Sequence, residues 1–374
     1  MMAIAWVFSV VHGSRHLGSN DMKGYGIEVD YQDAQNVIRF LNKVQLVEKK
    51  LQFTRKDRFL VIPIKRHPTE TEIAEISRRS PQAKVVQAGF TESSRKPKDL
   101  HEAVEDLLPS GVVDNLPRSY DIIGDIGIIE LDNKLDLFSN VIACALMKLN
   151  PHLRLVMKKT EKTSGQYRIR GIEAIAGSGG TETIHHEFSS RFHLDVASVY
   201  FNPRLSHERM RIAKQVMEEE VVVDMFAGVG PYSILIAKVQ PKARVFSVDL
   251  NPMAYKYLKE NILMNKVTDS VTPVLGDARE FASKLPGFAN RVIMNLPSES
   301  SAFLNTAARL LRKEGGMMHY YCFASRDENL QVISDSVRLK MSSCQRHVTS
   351  YSFQRIIREI APNRVQVALD AVIT

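Results

Sequence analysis

The sequence predicts an α/β protein in which a mostly parallel sheet, with helices on both faces, occupies the last third of the chain behind two smaller α+β units. Three observations predict it. From about Val221 onward, short apolar runs alternate with helix-length segments, the pattern of a parallel sheet with crossover helices. The 374 residues, 44 % of them hydrophobic, suffice for two or three domains. Stretches rich in charge, Ser and Pro break the chain between the regular parts.

Taken in order, residues 1–22 read as an extension, with Met22 ahead of "KGYGIEV" a natural start. From Gly24 to about Arg66, "YGIEV", the helical "YQDAQNVIRFLNKV" and the alternating "RFLVIPI" form a strand-helix-strand pattern, the heart of a small unit spanning 23–100. The stretch "TESSRKPKDLHEAVEDLLPSGVVDNLPRS" reads as a connection carrying one short helix. A middle α+β unit, 101–215, holds "YDIIGDIGIIEL", a helix near "DLFSNVIACALMKL" and strands around "IHHEFSSRFHLDVASVYF". The last unit, 216–374, runs through "VVVDMF", "PYSILIAKV", "ARVFSVDL", "NPMAYKYLKENILMN", "VTPVLGD", "RVIMNLP", "SAFLNTAARLLRK" and "GGMMHYYCF".

Composition narrows the function classes. The opening "MMAIAWVFSVV" is too short to span a bilayer, and no later run has membrane length. Cys144, Cys322 and Cys344 lie too far apart for a zinc pattern or a disulfide framework, which points to a reducing cytosol. The net charge of +8 gathers in "RKDRFLVIPIKR", "SSRKPKD" and "LRLVMKKTEKTSGQYRIR", whereas "MEEE" is acidic. Any one such run can be a solvated face. Several in one chain favour a polyanionic partner such as nucleic acid.

The stretch "DMFAGVGPYS" places two glycines at the turn from the first strand of the last unit into its first helix. Ligands of doubly wound sheets bind beyond the carboxyl ends of the strands, where Gly228 and Gly230 let the backbone approach and a helix start offers free N–H groups. Asp249 ends the next strand, about 25 residues on, at a distance suited to ribose hydroxyls. Asp277, in "GDA", ends a third strand and can meet a base edge. The G-x-G-x-x-G phosphate fingerprint is incomplete, so a nucleoside bearing a carboxylate fits better than a dinucleotide. Taken singly, Asp224 can cap a turn and Asp249 can cap the next helix. All three acids at successive strand ends resemble the S-adenosylmethionine-dependent methyltransferase fold, a class I (Rossmann-like) sheet. There these positions hold the methionine part, the ribose and the adenine.

A fourth strand ends in "NLP", where the Asn295 amide can both accept and donate, and Pro297 stiffens the turn. Upstream, "VYFNPRLSHER" predicts a helix beyond Pro203 with Arg204 and Glu208 four apart on one face, a spacing that also suits an ordinary helical ion pair. The run "IHHEF" with His193 and His207 raises a metal site, but strand alternation sends neighbouring side chains to opposite faces, and none is expected.

Together, "VYFNPRLSHER", "VVDMFAGVGPYSI", "VDLNPMAY", "GDAREF", "NLPSESSAFL" and "GGMMHYY" resemble the archaeal and eukaryotic type of tRNA (guanine(37)-N1)-methyltransferase, from Gly24 onward. The resemblance implies S-adenosylmethionine as cofactor, tRNA with guanosine at position 37 as partner, and a cytoplasmic enzyme, expected here to be a monomer. It implies that Glu208 is the general base for the guanine N1 proton and Arg168 the cation that stabilises the carbonyl oxygen. It also implies that Asn295 holds the flipped base, Pro297 lines the pocket, and Tyr200 and Arg204 shape it. Phe226, Leu250 and Ala278, beside the strand-end acids, join Asp224, Gly228, Gly230, Asp249 and Asp277 as expected cofactor contacts. Three alternatives stand beside this reading: the related tRNA aminocarboxypropyl transferase, methylation of a tricyclic guanosine derivative at the same position, and a catalytically silent tRNA binder. "NLP" favours methyl transfer, and intact Arg168, Glu208 and Asn295 oppose the silent binder.

Overall fold

A computed structural model describes residues 22–93, 97–160, 167 and 171–374. The chain divides into two compact units, one ending at Pro97 and the other running from Lys98 to Thr374.

In the first unit, β1 (Met22–Asp30), α1 (Tyr31–Lys43), β2 (Thr54–Lys56), β3 (Phe59–Ile64), α2 (Glu70–Arg79) and β4 (Lys84–Phe90) form an antiparallel sheet in the order β2-β3-β1-β4. Asp30 caps α1 by accepting from the Gln32 amide, and Ala34, Val37 and Leu41 recur on the face that α1 buries. A reciprocal Thr69–Glu72 capping box starts α2. The unit extends past the expected strand-helix-strand to Phe90, because β4 pairs with the free edge of β1. There the Phe90 ring fills the space over Gly26, where a Cβ would come within 2.8 Å of it.

The second unit opens with α3 (Leu100–Val104) and α4 (Ser110–Val113), two short helices where the sequence suggested one. Leu100, Val104, Leu108 and Leu116 are buried against α5 (Ser139–Leu149), so this stretch belongs to a core. Beside it lies a four-stranded sheet of β5 (Asp121–Ile123), β6 (Ile126–Ile129), β7 (Leu155–Lys159) and β8 (Ile172–Gly177), in that order. A hairpin, β9 (Glu182–Glu187) and β10 (Ser190–Asp195), leads through a 3-10 turn at Pro203–Leu205 into α6 (Ser206–Ala213).

The large sheet then builds up from β11 (Val221–Asp224), α7 (Pro231–Val239), β12 (Arg244–Asp249), α8 (Pro252–Asn265), β13 (Val271–Leu275), α9 (Ala278–Lys284), β14 (Arg291–Met294), α10 (Leu304–Leu310), β15 (Gly316–Ser325), α11 (Leu330–Ser343), β16 (Val348–Ala361) and β17 (Arg364–Ile373). Its order is β13-β12-β11-β14-β15-β17-β16. The first five strands are parallel, and β17 inserts antiparallel between β15 and β16. Val221, Val222 and Val223 are all buried, as strands covered on both faces require, and a separate apolar core packs on each side. The reversal of strand order at β11, where the chain runs outward to β12 and β13 on one side and to β14 and β15 on the other, creates the crevice at the carboxyl ends where a ligand fits.

Candidate active site

Backbone geometry at the first crevice follows from its glycines. Gly228 has φ +56° and Gly230, which precedes α7, has φ +90°, a region costly for other residues. A Cβ on Gly230 would meet Leu258 Cδ1 at 2.5 Å, so α8 packs against the turn itself. Above Gly228 the space is open, the nearest atom to such a Cβ being the Tyr200 carbonyl oxygen at 3.8 Å. Its amide donates to Asp249 Oδ2 at 2.6 Å, and the Asn251 amide donates to Oδ1 at 2.9 Å. Asp249 is thus clamped by backbone with acceptor capacity left over. Burial raises its pKa against those amide bonds. Asn251, not Asp249, caps α8.

Asp224 is fully buried beneath the loop. Its Oδ2 accepts from Ser233 Oγ at 2.9 Å, while Oδ1 has no hydrogen-bond partner. Burial pushes the carboxyl up to about 7, against the pull of Ser233 and the nearby Phe226 amide. Asp277 caps α9 through the Arg279 amide and lies 3.4 Å from the Arg279 guanidinium, and Ala278 is buried at the first helical position. Phe226 stands edge-on to Phe303 with centroids 4.9 Å apart, and Arg279 lies over the Phe303 ring at 4.2 Å. Leu250 follows Asp249 half-buried.

At the end of β14, Asn295 Oδ1 is buried with no partner, and the Pro297 carbonyl accepts from the Phe323 amide of β15. Ser300 Oγ bonds the carbonyls of Met294 and Leu296, which ties the turn shut around Asn295. Two orphaned acceptors, on Asp224 and Asn295, with open backbone at Gly228, fit a nucleoside amino acid: an ammonium, an exocyclic amine or a base N–H satisfies each.

The segment before α6 carries Tyr200, whose carbonyl lies over Gly228, and Arg204. Tyr200 Oη accepts from Asn202, whose own carbonyl accepts from the Arg209 guanidinium. Arg204 pairs with Asp121 of β5 through Nε at 2.7 Å. Glu208 points inward instead and is only 8 % exposed. The Arg204–Glu208 pair that four-residue spacing allows is therefore not made. Glu208 Oε2 accepts from Arg211 Nε at 2.8 Å, and Oε1 accepts from Arg211 Nη2 at 2.7 Å and from Tyr321 Oη at 2.6 Å. These bonds occupy three of the four acceptor positions of a carboxylate.

Arg211 also binds Asp370 of β17 and stacks on Phe353 at 3.7 Å. Burial disfavours the Asp370 charge, yet His319 and Arg211 together hold its carboxyl well below the usual range. Sequence reasoning missed Arg211, Tyr321 and Asp370. The one available signal was an acid inside the apolar run "VQVALDAVI". Arg168 lies outside the described residues. The histidines have other partners: His193 pairs with Glu260, His185 packs on Phe201 with its pKa lowered by burial to about 4, and His207 packs on Phe188.

Strand order, the glycine turn and the strand-end acids define a class I S-adenosylmethionine-dependent methyltransferase. The model of the TRM5/TYW2 methyltransferase domain matches residues 183–349, and that of the TYW2 N-terminal domain matches 100–181. The tRNA (guanine(37)-N(1))-methyltransferase Trm5b of Pyrococcus abyssi is 38 % identical over 352 residues, covering 92 % of this chain and 97 % of that protein. The solved complex of aTrm5 with tRNALeu aligns with a TM-score of 0.64 at 30 % identity, over 93 % of this chain and 99 % of that one. The tRNA(Phe) (4-demethylwyosine(37)-C(7)) aminocarboxypropyltransferase of Methanocaldococcus jannaschii is 32 % identical, covering 67 % of this chain and 96 % of that protein. The chain belongs to the TRM5/TYW2 methyltransferase family.

Proposed function

We propose that this enzyme transfers the methyl group of S-adenosylmethionine to N1 of guanosine 37 in tRNA, giving 1-methylguanosine beside the anticodon. The observation that carries the reading is that a methyltransferase sheet has both an enclosed carboxylate, Glu208, and an unsatisfied amide oxygen, on Asn295, at positions that match the family's base and base-holding amide. Likeness to the Pyrococcus methyltransferase over 92 % of the chain takes in most of the first unit, whereas likeness to the aminocarboxypropyltransferase covers 67 %. That favours methyl transfer.

Asp224, Gly228, Gly230, Asp249, Asp277, Phe226, Leu250 and Ala278 would hold the cofactor, which supplies an electrophilic methyl group when bound. Asn295 orients the extruded guanine by its edge, and Pro297 keeps that amide in place. Glu208 takes the N1 proton as the nitrogen engages the methyl carbon. Arg168 stabilises the negative charge that builds on the guanine carbonyl oxygen. Tyr200 and Arg204 shape the pocket wall. The first unit and the 101–215 segment hold the tRNA, whose loop makes extrusion of the base less costly than in a duplex. We read the enzyme as a monomer of a reducing cytoplasm, a compartment that suits its three free thiols. No helix among the described residues is long and apolar enough to cross a membrane.

The deciding experiment offers labelled S-adenosylmethionine to unmodified tRNA transcripts that differ only at position 37, with the product nucleoside identified by mass spectrometry. 1-Methylguanosine appearing only with guanosine at 37 is the expected result. An aminocarboxypropyl adduct on a modified tRNA, with no methylated product, overturns it.

A further inference from the structure

Two carboxylates, Glu208 and Asp370, share the single guanidinium of Arg211. His319 adds no second positive charge. Its Nε2 lies 2.7 Å from Arg291 Nη1, a group that only donates, so Nε2 is the acceptor. The ring is therefore neutral and carries its proton on Nδ1, facing Asp370 Oδ1 at 2.7 Å. Arg291 is balanced in turn by Glu220 at 3.0 Å. The Glu208–Arg211–Asp370 triad consequently carries one net negative charge in the interior. Around it stand Tyr321 and His319 from β15, Tyr232 from α7 with Asp224 of β11 beyond it, Arg209 from α6, Gln215 just after α6, and Phe353 from β16.

Resting on the reading of Glu208 as acceptor of the guanine proton, we propose that Asp370 is a positioning residue for methyl transfer: by sharing Arg211 it leaves a satisfied Arg211–Asp370 pair when Glu208 takes up that proton. The guanine N1–H bond breaks and its proton goes to Glu208. The nitrogen electron pair forms the bond to the methyl carbon, and the carbon–sulfur bond breaks to leave a neutral thioether. The triad passes from one net negative charge to none. With Glu208 as the only carboxylate on Arg211, the same step would leave a partly buried guanidinium without a counter-charge, which opposes proton uptake by Glu208. Asp370, itself accepting from Gln215 Nε2 at 3.1 Å, also fixes the guanidinium plane, so β17 sets the orientation of the cation that Glu208 binds.

The test is single-turnover methyl transfer to a guanosine-37 transcript as a function of pH, using the full chain and saturating S-adenosylmethionine. Asp370→Asn is expected to lower the plateau about tenfold and to move the acid limb to lower pH, with cofactor affinity unchanged. Arg211→Gln is expected to move the acid limb the opposite way, because it removes the positive charge bonded to both Glu208 oxygens. An Asp370→Asn enzyme with an unmoved acid limb and a plateau within about twofold of the parent overturns the proposal. If that variant does not fold, an unmoved acid limb in Arg211→Gln overturns it equally. Glu208→Gln turning over like the parent would instead sink the underlying assignment of the base.

Discussion

Glu208 shows why a side chain's partners matter more than its spacing. Four residues from Arg204, it could have closed a surface ion pair worth a few tenths of a kcal/mol. It turns inward to Arg211 and Tyr321 instead. Glu208→Gln should slow methyl transfer by about 10²- to 10⁴-fold while leaving S-adenosylmethionine affinity near that of the parent, as paired single-turnover and equilibrium-binding measurements would read. Asp224 gives a second prediction at this scale. Burial pushes its carboxyl up to about 7 from the ordinary 3.8, so between those values the folded state binds a proton that the unfolded chain does not. Its contribution to stability is therefore greatest at low pH and falls as pH rises through that window. Denaturant unfolding at pH 5 and pH 7 should show the ligand-free parent losing stability across the step relative to Asp224→Asn.

The parallel strands were legible because β11, β12 and β14 are buried on both faces and read as apolar runs between helical patterns. Asp224 and Asp249 were legible for the same reason, since each closes such a run, whereas Asp277 was legible from the turn that follows the part-exposed edge strand β13. The hairpin of β16 and β17 was not. Register shifts at four places in the β16–β17 ladder break the two-residue alternation of β16, and exposed Arg and Glu side chains give it the look of a loop. Without β17 as a strand, Asp370 had no place, and the group opposite Arg211 stayed hidden. Turn chemistry was read better. Gly230→Ala should cost about 1–3 kcal/mol, because the new methyl meets Leu258 and the φ of +90° is unfavourable. Thermal unfolding checks the loss, and a loss below a few tenths would contradict the packing described for α8 and the turn.

At the scale of the molecule, the first unit has a core of its own, built from Ile27, Val29, Val37, Leu41, Ile62 and Ile64. Several of its cations are already matched: Lys56 and Lys84 with Glu28, Arg58 with Asp30, and Arg66 with Glu72. A chain of residues 98–374 should therefore retain cofactor binding, lose tRNA affinity, and show a shallower dependence of log Kd on log salt, by roughly one unit of slope for each phosphate contact removed. An unchanged slope and affinity would mean that the unit does not touch the nucleic acid. The tight joining of residues 98–215 to the large sheet was not legible in the sequence, because it depends on long-range contacts such as Tyr257 with Glu182 and Asn261 with the backbone of His193.

The insertion of β17 between β15 and β16 has a consequence for synthesis on the ribosome. When everything up to Ala361 has emerged, β15 still presents an unpaired edge, and the seat of Asp370 opposite Arg211 is empty. A nascent chain at that stage can have its glycine turn and most of its sheet, yet it lacks the strand that closes the sheet and completes the triad. The enzyme thus matures from its last strand inward, and a chain stalled before Arg364 should be released with an exposed edge open to pairing with its neighbours and without a finished site.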